Sequence, residues 1–150
     1  MSDASDHLWV PTAAATRHIE FSCPWLPAPN DLSSPIAGFQ LTVHSPNLHA
    51  TAWVSLSYED REAQMLATFF QDLAEHWSGW EGERCSAFGD GRLLIAASHD
   101  GRRQVQLGIT IIHPTDGWQL ENFLLSLEPG SLATIATALD AFLRLADRSP

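Results

Sequence analysis

The sequence predicts an α+β fold, a mostly antiparallel sheet of about six strands with two helices packed on one face. Three observations predict it. Two stretches repeat their apolar residues at helical period, several others alternate apolar and polar residues as half-buried strands do, and turn-forming sequences separate them. At 150 residues the chain suits one domain, long enough to bury about two-thirds of its unfolded surface without staples. Residues 18–147 are expected to form that domain, with residues 1–17 a mobile tail.

The tail assignment rests on missing periodicity, Pro11 and the Ala13-Ala14-Ala15 run. A short strand follows at His18–Ser22, where Ile19 and Phe21 alternate with His18 and Glu20. Three prolines within Cys23–Asn30 predict an extended loop, pinned by Trp25 and Leu26. From Gly38 to Ser45, Phe39, Leu41 and Val43 oppose Gln40, Thr42 and His44. Pro46-Asn47 turns the chain. Residues 50–58 return with Ala52, Val54, Leu56 and Tyr58 on one face, which makes an antiparallel hairpin. Trp53 is the outlier, an indole on the otherwise polar face.

A helix is expected over about 59–77. Leu66, Phe69, Phe70, Leu73 and Trp77 make one apolar stripe, while Glu62, Gln71, Asp72 and Glu75 face water. Ser57 or Asp60 is placed to cap it, and Ser78-Gly79 to stop it. Strands follow at 83–88 and 92–98 around Gly89-Asp90-Gly91, then a hairpin turn at Asp100-Gly101. The 103–113 strand alternates cleanly through Val105, Leu107, Ile109 and Ile111. In the last strand, 117–128, Trp118 and Leu120 share one parity and Phe123, Leu125 and Leu127 the other. That phase change predicts a bulge near Glu121 or Asn122. Gly130-Ser131 opens a second helix, 131–146, striped by Leu132, Ile135, Leu139, Phe142, Leu143 and Ala146.

Composition narrows the function. Eighteen acidic residues stand against eight basic ones, all arginine, for a net charge of −10. Such a chain repels the phosphates that dominate nucleic-acid binding and favours a basic protein partner. No apolar run is long enough to span a bilayer, and the acidic N-terminus precedes no apolar signal core, so the expected location is cytoplasmic. Cys23 and Cys85 are expected free and partly buried.

No catalytic or metal pattern emerges, and no cofactor is expected. The seven histidines are scattered, without the i, i+4 pairing of a helical metal site. His44, His99 and His113 read as solvated residues near strand ends. Ser98 and His99 are strand neighbours pointing to opposite faces, so they form no nucleophile–base pair. Asp100 reads as the turn residue before Gly101, and Glu81, Glu83 and Asp90 as an acidic rim around turns. Among the tryptophans, Trp77 and Trp118 read as core, Trp80 as a partly buried cap on the sheet, and Trp53 as a candidate interface anchor.

Phe69-Phe70, Trp77-Ser78-Gly79-Trp80-Glu81-Gly82, His99-Asp100-Gly101, the alternating 103–111 strand, Trp118 and Leu127-Glu128-Pro129-Gly130 together resemble an actinobacterial family of unknown function, DUF6228. The resemblance spans about residues 38–146. Cys85-Ser86-Ala87 and Arg103-Gln104 depart from its usual residues. The order of elements is also similar to that of WapI-type immunity proteins. That second resemblance implies neutralisation of a toxin, such as a nuclease, by tight binding.

The expectation is therefore a non-enzymatic, immunity-like binding protein that occludes a basic partner. Its acidic surface would include Trp53, Glu81, Glu83, Asp90 and Asp100. The alternative is a small-molecule-binding domain using a cavity between helix and sheet.

Overall fold

The computed structural model describes residues 7–11, 17–25, 36–57, 60–101, 104–113 and 115–144. In chain order the elements are β1 (His7–Pro11), β2 (His18–Trp25), β3 (Gly38–Ser45), β4 (Leu48–Ser55), α1 (Glu62–Glu75), β5 (Glu83–Phe88), β6 (Leu93–His99), β7 (Val105–His113), β8 (Trp118–Leu127) and α2 (Leu132–Leu143). A 3₁₀ turn, Pro129–Ser131, leads into α2. The fold is α+β, as the sequence predicts.

The sheet count differs. Two four-stranded antiparallel meanders form, β1-β2-β3-β4 and β5-β6-β7-β8, rather than one sheet of about six. The helical connection α1 intervenes between β4 and β5, and those two strands do not pair. The first sheet also gains a strand from the expected tail. Leu8 and Val10 of β1 lie opposite Phe21 and Ile19, and Val10 is wholly buried. Five residues are too few to show a period. The remainder of the expected tail, apart from Arg17, lies outside the described residues.

β2 also outruns its expected end. It continues through Cys23-Pro24 to Trp25 by a register shift, with Cys23 at φ 48. A bulge accommodates a proline that a regular ladder would exclude. Trp25 then lies opposite Gly38, where its indole occupies the space a Cβ would need. Residues 26–30 of the expected loop lie outside the described residues.

One cluster of buried side chains joins both sheets and both helices. The strand alternation sends Ile19, Phe21, Phe39, Leu41 and Val54 inward from the first sheet, and Ile95, Leu107, Ile109 and Leu125 from the second. α1 contributes Leu66, Phe70 and Leu73, and α2 contributes Ile135, Leu139 and Phe142. The helices pack on each other, α2 also against β1 and α1 against β5. Phe142 meets Phe21 and Phe39 edge-on at 6.0 and 6.1 Å, seating α2 on the first sheet.

The predicted helix start needs correction. Neither Ser57 nor Asp60 caps α1 with its side chain; Arg61 holds the N-cap at φ 54. Ser57 Oγ instead accepts the N–H of Asp60 at 3.1 Å. Glu62, expected to face water, accepts the N–H groups of Ser57 at 2.7 Å and Gly89 at 3.3 Å. One carboxylate thus joins the exit of β4, the start of α1 and the β5–β6 turn.

The phase change in β8 is realised as predicted. The β7–β8 register shifts between Ile109 and Ile111, and Asn122 adopts φ 56. Thr110 Oγ1 receives the N–H of Asn122 at 3.0 Å, so the bulge has its own hydrogen bond. Among the described residues, no helix is long and apolar enough to cross a membrane.

Candidate partner-binding site

The chain reverses between α1 and β5 through Trp77-Ser78-Gly79-Trp80-Glu81-Gly82. α1 ends at Glu75, two residues short of its expected end, with His76 as C-cap. Trp77 therefore leaves the helical stripe. It is not core: it is 57% exposed. Gly79 at φ 142 and Gly82 at φ 75 turn the backbone in conformations that L side chains rarely adopt.

His99 holds this turn from the end of β6. Its side chain is 1% exposed rather than solvated. Nε2 lies 2.9 Å from the carbonyl oxygen of Trp77, and Nδ1 accepts the N–H of Gly101 at 2.8 Å. Those two bonds assign the neutral tautomer with its proton on Nε2, which donates to Trp77. Trp80 packs edge-on against the imidazole at 5.2 Å between centroids. The guanidinium of Arg84 lies over the Trp80 ring at 5.2 Å from its centroid and bonds the carboxylate of Asp72 on α1.

The arrangement is a clamp. Asp100 Oδ1 stands 4.0 Å from His99 Nδ1 and accepts the N–H of Gln104 at 3.1 Å. Nδ1 is already engaged by Gly101, so the pair is not a base with its orienting carboxylate. Among the described residues, no group of three or more His, Cys, Asp or Glu side chains is placed to hold a metal ion.

Of the expected surface residues, the structure gathers three. Glu83 lies opposite Ser98, which brings Glu81, Glu83 and Asp100 to one end of the second sheet, beside Trp77. All are exposed. Glu75 and Glu128, at the ends of α1 and β8, are exposed at the same end. Arg84 is engaged by Asp72; Arg102 and Arg103, which follow in sequence, lie outside the described residues.

The other two lie elsewhere. Asp90 occupies the opposite end of the β5–β6 hairpin, roughly 17 Å from Glu83 by strand rise. Its neighbour Gly89 abuts Val54 and Ser55, at the end of β4. Trp53 is on the first sheet, 52% exposed, with its ring 5.5 Å from that of Trp25. Both cysteines are free and exposed, not partly buried. Trp118, expected in the core, is half-buried and stacked on His113.

The residues that meet in this clamp belong to the two motifs singled out in the sequence, Trp-Ser-Gly-Trp-Glu-Gly and His-Asp-Gly. The family model of DUF6228, described as a family of unknown function, matches residues 13–146. The chain belongs to DUF6228. In this DUF6228 member the two motif segments bind each other, building the turn that presents Trp77. No curated protein matches the chain.

Beside this turn, α1 and β5 frame an open groove of about 570 Å³. Met65, Phe69 and Cys85 line it together with Arg61 and Asp72.

Proposed function

We propose that this DUF6228 protein is a non-enzymatic, immunity-like binding protein that occludes a basic protein partner, such as a toxin nuclease. The observation that carries the reading is Trp77, an exposed indole held on a clamped turn beside Glu81, Glu83 and Asp100. Tryptophan anchors dominate binding energy when they dock in desolvated pockets, and a preordered anchor loses little entropy on binding. The carboxylates supply complementarity to a basic surface and speed its approach. Trp53 and Asp90 fall outside this end and are not needed for it.

The test is co-expression with candidate basic partners encoded beside the gene, followed by capture at low and high salt. Glu81→Arg with Glu83→Arg should abolish capture and leave the melting temperature unchanged. Equal capture by this variant would remove the acidic end as the binding surface.

The groove between α1 and β5 favours the second reading, a small-molecule site. Its discriminator is a ligand-dependent rise in melting temperature that is lost in Met65→Arg, because a ligand bound to the folded state alone stabilises it.

A further inference from the structure

Among the described residues, four strands lie at sheet edges: β1 and β4 in the first sheet, β5 and β8 in the second. An open edge presents unpaired N–H and C=O groups to any passing strand, and proteins blunt such edges with brevity, charge, proline or bulges. Three of the four edges are blunted. β1 has five residues and ends on Pro11. β5 has six residues, carries Glu83 and Arg84, and packs against α1. β8 is bulged at Asn122, and its Leu124 carbonyl accepts a hydrogen bond from Arg17 at 3.1 Å.

β4 carries none of these devices, although the β5–β6 turn reaches its far end, where Gly89 lies against Val54 and Ser55. Its eight residues, Leu-His-Ala-Thr-Ala-Trp-Val-Ser, contain no charge, proline or glycine. They pair with β3 in unbroken register, and among the described residues no strand pairs with the other side. Leu48, His49, Trp53 and Ser55 are exposed along it.

We propose that β4 is a self-association edge, on which a second copy of this chain pairs antiparallel about a two-fold axis. The strand is close to self-complementary. Centred on Thr51, antiparallel pairing sets Ala50 opposite the partner's Ala52, His49 opposite the partner's Trp53, and Leu48 opposite the partner's Val54. Small residues then meet on the core side, and an exposed imidazole covers an exposed indole on the other. A two-fold contact of this kind is closed, so association stops at the dimer.

Charge points to the same edge. At −10, two copies repel each other over most of their surface, yet no Asp, Glu, Lys or Arg occurs between residues 32 and 58. The β3–β4 hairpin thus offers a like-charged partner a strand that carries no charge of its own. Pairing there joins two four-stranded sheets into one of eight strands and leaves the Trp77 end free.

Sedimentation equilibrium of the full chain between about 1 μM and about 1 mM, the range of weak association, tests this. The wild-type chain should rise from one to two chain masses. His49→Glu with Trp53→Glu places like charges opposite each other across the axis and should weaken dimerisation at least tenfold. His49→Glu with Trp53→Lys places opposite charges there and should restore it. Both positions are exposed, and circular dichroism checks that the variants stay folded. A wild-type monomer throughout the range overturns the proposal. So does a dimer unaffected by the paired glutamates, or a glutamate–lysine pair that fails to rescue.

Discussion

The Nε2 of His99 donates to the carbonyl oxygen of Trp77 across 2.9 Å, so a nearly fully buried histidine holds the backbone of an exposed tryptophan. The same ring accepts from Gly101 and packs against Trp80. His99→Ala removes two hydrogen bonds and a ring contact together. It should cost about 2–4 kcal/mol, measured as a lower urea midpoint at unchanged slope. A midpoint equal to wild type would mean that the turn holds itself without His99.

Most of the fold was legible because period reports burial directly. β3, β7 and the two helical stripes follow from alternation and from i, i+3, i+4 spacing, and the β8 bulge from a change of parity. What escaped depends on long-range contact. β1 is a strand only because Phe21 and Ile19 receive it. Trp77 sits in phase with its helix stripe, yet α1 ends two residues earlier and turns the indole outward. His99 reads as a solvated residue at a strand end until Trp77, Trp80 and Gly101 close around it. The acidic surface was half legible: strand pairing joins Glu83 to the Asp100 turn, while hairpin length separates Asp90 and the second sheet separates Trp53.

Gly38 tests the clash that excludes a side chain from the start of β3. A Cβ there would stand 2.5 Å from the carbonyl oxygen of Val54, which is backbone and cannot swing away, and it would also displace the Trp25 indole. Gly38→Ala should destabilise by about 1–3 kcal/mol, the range for overpacking, and shift the tryptophan emission. Wild-type stability would show that β3 and β4 part without strain.

Phe142 carries α2 onto the first sheet through its edge-on contacts with Phe21 and Phe39. Phe142→Ala leaves a cavity among side chains that are themselves wholly buried. The expected loss is about 3–5 kcal/mol in chemical denaturation. A loss below about 1 kcal/mol, far under the cavity range, would mean that α2 is seated by its other residues.

Acid should weaken the protein through His18. Burial lowers its pKa from 6.5, the stacked His44 lowers it further, and Glu20 partly opposes them. A folded-state pKa below the unfolded value means that the unfolded chain binds the proton more readily. The contribution of His18 is therefore intact above pH 6.5 and is lost as pH falls below 6.5 toward the folded value. Melting temperatures measured downward through this window should fall, and His18→Gln should flatten the slope. An equal slope in the variant would assign the acid sensitivity to other groups.

Trp77 separates binding from stability more sharply than any other position in the proposed site. Its side chain is mostly in water, so Trp77→Ala removes little packing and should change stability by less than about 0.5 kcal/mol. Its backbone carbonyl, the group that His99 holds, survives the substitution, so the clamp stays closed. If the indole fills a pocket on a basic partner, its loss should cost at least about 2 kcal/mol of affinity, roughly thirtyfold in Kd. Trp53→Ala, at a comparable exposure on the other sheet, should leave that affinity unchanged. Calorimetric titration of the two variants against the captured partner gives the comparison. Equal losses from both would spread the interface over two sheets, and a loss from Trp53→Ala alone would move it to the first.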